Sequence, residues 1–93
     1  MTIKEVLKDV ESMIGEDFDE NEIIVAFSDC FGEEPIYVSD TTMTYEDNGH
    51  VYRRYQAYAD GHEKEGLMIN VDEDSNKIHS VYLASECDFY WKW

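Results

Sequence analysis

Apolar residues recur at Ile3, Val6, Leu7, Val10, Met13 and Ile14, the three-and-four spacing that lines one side of an α-helix. Thr2-Ile3-Lys4-Glu5 matches a capping box ahead of that stripe, and Gly15 supplies a stop behind it. The pattern predicts a helix over residues 3–14, with Lys4, Lys8, Asp9 and Glu11 facing water. A second stripe, Ile23, Ile24, Phe27, Cys30 and Phe31, is opened by Asp19 with Glu22 three residues on and closed by Gly32. It predicts a helix over about 20–31. Ile23-Ile24-Val25-Ala26-Phe27 also reads as a short buried strand, but length and terminators favour the helix.

Beyond Glu33-Glu34-Pro35 the period changes to two. Ile36-Tyr37-Val38 reads as a short strand and Ser39-Asp40 as a turn leading into a hairpin over Thr41 to Ala59, with Asn48-Gly49 at its tip. A two-residue loop pairs Tyr45 with Tyr52 and Met43 with Arg54. A three-residue loop, Asp47-Asn48-Gly49, pairs Tyr45 with Val51 and Met43 with Arg53. The three-residue register gathers Tyr45, Met43, Val51, Tyr55, Ala57 and Ala59 on one face and Thr44, Glu46, Tyr52, Arg54, Gln56 and Tyr58 on the other. A one-residue slip inverts the faces, so the more coherent apolar face favours that register. Asp60 to Gly66 is a polar loop. Leu67–Val71 and Ile78–Ala84 are strands around an acidic turn, and Phe89, Trp91 and Trp93 alternate as in a last strand.

These elements predict a single α+β domain over residues 1–93, with two N-terminal amphipathic helices packed on one face of an antiparallel β-meander of four to six strands. Its core is expected at Val6, Leu7, Val10, Ile14, Ile24, Phe27, Ile69, Val71, Val81 and Leu83. A sheet covered on one face leaves the other open to water or to a partner.

Charge changes the picture most. The 93 residues carry 22 acidic side chains against 7 basic ones, a net charge of −15. Residues 1–34 hold eleven acids and two lysines, net −9, and residues 35–93 eleven acids and five bases, net −6. Such a surface repels nucleic acid and anionic membranes and attracts basic proteins. The hydrophobic fraction of 43% argues against disorder. No run approaches the roughly 20 apolar residues of a membrane span. The start, Met1-Thr2-Ile3-Lys4-Glu5, lacks the pattern of a signal peptide. Cys30 and Cys87 fit reduced thiols, and Cys30 on an apolar helix face fits core filling better than nucleophilic chemistry. The expected compartment is the cytoplasm.

Candidate chemistry is sparse. Asp17, Asp19 and Asn21 fall at the first ligand spacings of an EF-hand loop, but Glu22 stands where the loop needs Gly and Ser28 where it needs Glu. Asp72, Asp74 and Asn76 repeat the spacing and fail likewise, with Lys77 and Leu83 at those positions. His50, His62 and His79 form no metal spacing with the cysteines, and neither a phosphate-binding glycine loop nor a nucleophile elbow is present. The expectation is no enzyme, no cofactor and no metal. Arg53-Arg54 among tyrosines suggests base stacking, yet two arginines cannot offset the surrounding carboxylates, and strand neighbours point to opposite faces.

Partner binding remains. Tyr and Trp bury much area at low entropy cost, and Tyr52, Tyr58, Tyr90, Trp91 and Trp93 are candidate anchors. In size and charge the chain resembles small acidic inhibitors: toxin-immunity proteins and phage proteins that mimic DNA to block restriction or CRISPR enzymes. The likeness is one of size and charge, without a shared motif. The expected contact surface joins Glu16, Asp17, Asp19, Glu20 and Glu22 to Glu33 and Glu34, with Asp72, Glu73 and Asp74 as a second patch and Tyr52 and Trp93 as anchors. Its expected partner is a basic protein such as a nuclease or another nucleic-acid-binding protein. The competing expectation is a soluble interaction domain, homodimeric through its open sheet face, whose acidity serves solubility alone.

Overall fold

Within residues 3–32, 34–62 and 66–83, which the computed structural model describes, the chain runs α1 (Ile3–Glu11), α2 (Glu20–Phe31), β1 (Ile36–Asp47), β2 (His50–Ala59), β3 (Leu67–Asp72) and β4 (Ile78–Leu83). The expectations for Glu33, Cys87, Trp91, Trp93 and the strand around them lie outside the described residues, as does the side chain of Cys30. No helix among the described residues is long and apolar enough to cross a membrane.

Local chemistry sets the helix ends. Asp19 caps α2 by accepting the Asn21 N–H at 2.9 Å, and Gly32, at φ 67°, closes it by donating to the Ser28 carbonyl. Residues 23–27 are therefore helical, not a strand. The first helix ends three residues early. Ser12 Oγ donates to the Asp9 carbonyl at 2.5 Å, the acceptor the next helical N–H would use, and Met13 bonds back to Val10 instead. The chain then tightens through i→i−3 bonds. Ile14, expected in the core, turns outward and is 44% exposed.

The four strands form one antiparallel sheet in the order β1-β2-β3-β4. Val38, Ala57, Leu67 and Leu83 share a row, as do Tyr55, Ile69 and Val81. Against these rows the helices place Val6, Val10, Ile23, Ala26 and Phe27, with Leu7 and Met13 partly buried at the margin. Eight of the ten expected core positions pack there or, for Leu7, against it. The exceptions are Ile14 and Ile24, because α2 points Ile23 into the core and leaves Ile24 half-buried.

The hairpin departs from the expected register. Asn48 and Gly49 stand at φ 52° and 83°, the two positive values a two-residue loop needs, and Asp47 pairs with His50 and Tyr45 with Tyr52. The apolar-face criterion misleads here because β2 is covered on both sides. Ala57 and Ala59 are buried toward the helices, while Tyr52, Arg54 and Gln56 are buried on the opposite face. Nor does a turn fall at Ser39-Asp40. Strand β1 is continuous, with a bulge between Asp40 and Thr44 in which Thr42 takes φ 63°. Asp40 Oδ1 accepts the Thr42 N–H at 2.7 Å, and Thr41 Oγ1 donates to the Arg54 carbonyl at 2.8 Å, so the bulge is held from both sides.

Candidate protein-binding surface

The loop after α1 is clamped to the β3–β4 turn. Gly15 N–H donates to the Ile78 carbonyl, Ile78 N–H to Glu16, and Phe18 N–H to Asn76, all within 3.0 Å. Phe18 anchors the loop by stacking on Tyr55 with ring centroids 4.5 Å apart. This clamp brings Glu16, Asp17, Asp19 and Glu20 to the end of the molecule that carries Asp72, Glu73 and Asp74. Two patches that are distant in sequence become neighbours. Glu34 sits beyond the other end of α2, where its carboxylate is 3.0 Å from His62 Nε2.

The carboxylates divide by what they touch. Asp17 pairs with Lys77 at 3.1 Å, and Glu73 and Asp40 hold Arg53 between them at 2.7 and 3.1 Å. Hydrogen bonding to Asp40, opposed by burial and reinforced by both carboxylates, raises the Arg53 pKa. Asp19 caps α2. Asp72 Oδ1 accepts the N–H groups of Asp74 and Ser75, while Oδ2 lies 3.4 Å from His50 Nδ1. Among the described residues, the side chains of Glu16, Glu20, Glu22 and Asp74 make no ion pair or hydrogen bond. Their charge is available for a partner.

Between the helices lies an open groove of about 550 Å³. Asp9, Ser12, Met13 and Glu16 line one wall, and Asn21, Glu22, Val25, Ala26 and Asp29 the other. Each set follows helical spacing, so the walls are the facing stripes of α1 with its terminal turn and of α2. The floor is apolar, and among the described residues the rim carries four carboxylates and no cation. Val25 is 62% exposed there. Asp9, Val25 and Asp29 lie outside the contact surface expected from the sequence. The available signal was Val25, an apolar residue off the Ile23–Phe27 stripe yet masked by the apolar run around it.

On the sheet face away from the helices, Tyr52 is only 6% exposed, so the surface anchor expected at this position is not available. It stacks on His79 at 4.1 Å and leans against Tyr45 at 5.2 Å. Burial raises the Tyr52 pKa, and the nearby Asp72 and Asp47 carboxylates add to the shift. Arg54 Nε donates to Asn70 Oδ1 at 3.0 Å and Asn70 Nδ2 to Ser80 Oγ at 2.9 Å, a buried polar relay beneath the Tyr45 ring. Burial raises the Tyr45 pKa as well, against the lowering effect of a hydrogen bond with Ser80.

For a cation, the described residues bring together His50, Asp72 and Asp74, whose ligand atoms lie within 4.8 Å of one another. Asp72 already uses one oxygen to close its own turn and turns the other toward His50. No protein-family model, characterised protein or solved structure matches the chain. What the fold and surface define is a class alone, an acidic α+β domain with two N-terminal helices over a four-stranded meander.

Proposed function

We propose that the protein is a small acidic protein-binding inhibitor, of the DNA-mimic, anti-restriction, anti-CRISPR or immunity-protein type, which occupies the basic site of a nucleic-acid-acting protein. The observation that carries this reading is that the clamp brings Glu16 and Glu20 to the end of the molecule that carries Asp74, with Glu22 lining the groove beside Glu16, and that among the described residues none of these four side chains makes an ion pair or hydrogen bond. Carboxylates that close turns or cap helices are accounted for by stability; these four are not accounted for by any bond the described residues make. On a chain of net charge −15 they offer a basic surface both attraction and fast encounter. The test is capture of host proteins at low salt on the immobilised protein, followed by elution with duplex DNA. Release of a basic nucleic-acid-binding protein by DNA and by salt supports the reading. A retained partner indifferent to both, or none at low salt, overturns it.

Tyr37 and Tyr82, 43% and 45% exposed on the sheet face away from the helices, favour a second reading. In it that face joins two copies of the chain and the acidity keeps the protein soluble. Sedimentation equilibrium distinguishes them, since the inhibitor reading requires no self-association.

A further inference from the structure

We infer that the groove between α1 and α2 receives a basic amphipathic helix of the partner, inserting an apolar side chain against Val25 and Met13 while lysines or arginines meet the carboxylate rim. This rests on the reading of the protein as a binder of basic proteins, and it adds a constraint that charge mimicry alone does not impose. Two features carry it: the chemistry of the walls and the direction of the exposed apolar surface.

Glu22 and Asp29 stand seven residues apart on α2, about 10 Å along the axis, with Val25 between them. Asp9 and Glu16 flank Met13 on the opposite wall. An apolar strip is thus edged by acids on both sides, the complement of a helix whose apolar stripe is edged by bases. Asp29 sharpens the case. It lies in the last turn of α2, which contains no basic residue, and there the helix dipole disfavours a carboxylate. Neither packing nor capping explains an acid at this position, nor Val25 in the solvent beside it. A cationic helix in the groove pairs with the first and covers the second. Phosphate-like presentation of acids would need no apolar floor.

The probe is a synthetic helix of about two heptads, with leucine at the two core positions of each repeat and lysine and alanine elsewhere. Its control replaces every leucine by serine at unchanged charge. Amide shifts in the labelled protein and fluorescence titration are read at near-physiological salt. The leucine peptide is expected to saturate, to shift amides within 9–16 and 21–29, and to bind about tenfold tighter than the serine peptide. Val25→Gln should remove most of that advantage, whereas Ile14→Gln, at an exposed apolar position outside the groove, should leave it intact. Circular dichroism confirms that both variants fold. Equal affinity for the two peptides, an unaffected Val25→Gln, shifts centred elsewhere, or no binding of either peptide overturns the groove assignment. Equal, salt-sensitive affinity overturns the groove while the inhibitor reading stands, because that reading is tested separately by DNA-displaceable capture.

Discussion

Lys77 Nζ lies 3.1 Å from Asp17 Oδ1 across 60 residues of sequence, and the two residues also pair as an isolated antiparallel bridge. The contact ties the end of the helical unit to the β3–β4 turn and places a single lysine inside the densest acidic region. Both side chains are largely exposed, so solvent screens the pair and the backbone bonds of Gly15, Phe18 and Ile78 do most of the holding. Lys77→Gln should therefore change stability by less than about 1 kcal/mol in urea unfolding. It should also speed association with a basic target at low salt, since it removes a cation from between the patches. A large loss of stability would show that the ion pair, rather than the backbone, holds the clamp.

Core substitutions separate the two sides of the helices. Phe27 is fully buried and stacks on Phe31 at 5.9 Å. Phe27→Ala should cost about 3–5 kcal/mol, a large part of the total for a domain of this size. Ile14→Ala, at an exposed position, should cost under about 0.5 kcal/mol. Chemical denaturation with both variants checks the contrast.

That contrast also marks how far the sequence was legible. Helix ends could be read because caps are local: Asp19 and Gly32 lie next to the bonds they satisfy. The α+β layering followed from the change of period after Pro35. Ile14 was misplaced because a stripe counted at ideal spacing assumes that the helix continues, and one hydroxyl at Ser12 ended it. The hairpin register was misplaced because a single buried face was assumed for a strand buried on both. The clamp and the groove depend on how the helices meet each other and the sheet, and no local pattern encodes that.

Backbone conformation provides a test in the hairpin. Thr42 at φ 63° is a β-branched residue in the left-handed region, where a side chain costs roughly 1–2 kcal/mol. Thr42→Gly should relieve part of this and raise the melting temperature or leave it unchanged. Gly49→Ala, at φ 83° in the tip, should lower stability by about 1 kcal/mol. Gly66 is confined for another reason, because an added Cβ would run into the Ala57 carbonyl oxygen. Gly66→Ala should loosen the β2–β3 pairing, seen as faster amide exchange at Ala57 and Leu67.

Alkaline pH should act through three phenols. Burial raises the pKa values of Tyr45, Tyr52 and Tyr55 above the ordinary 10.0, and the Asp40 carboxylate adds to the effect at Tyr55. Between the unfolded and folded values the unfolded chain has lost protons that the native state retains. Stability is therefore full below about pH 10 and falls as pH rises through the folded values. Ultraviolet titration of tyrosinate should show a late-ionising group that disappears on denaturation, and Tyr52→Phe should reduce its amplitude. Ionisation of every tyrosine at the ordinary value would contradict this account.

The division of the carboxylates makes the last prediction. Asp19→Ala removes the cap of α2 and should cost about 1 kcal/mol. Neutralising Asp40 and Glu73 leaves Arg53 without its two partners and should also lower stability. A triple substitution Glu16→Gln, Glu22→Gln and Asp29→Asn should behave differently. None of these side chains makes an ion pair or hydrogen bond among the described residues, and Asp29 opposes the helix dipole. Stability should stay level or rise as self-repulsion on a chain of net charge −15 is relieved. Association with a basic target should nevertheless slow, because encounter is steered by charge. The difference from the parent should shrink as added salt shortens the screening length below roughly 8–10 Å. Stopped-flow association at several salt concentrations, beside urea unfolding of the same variants, measures both. Unchanged association with the triple variant would remove these acids from the contact surface, whatever their effect on folding.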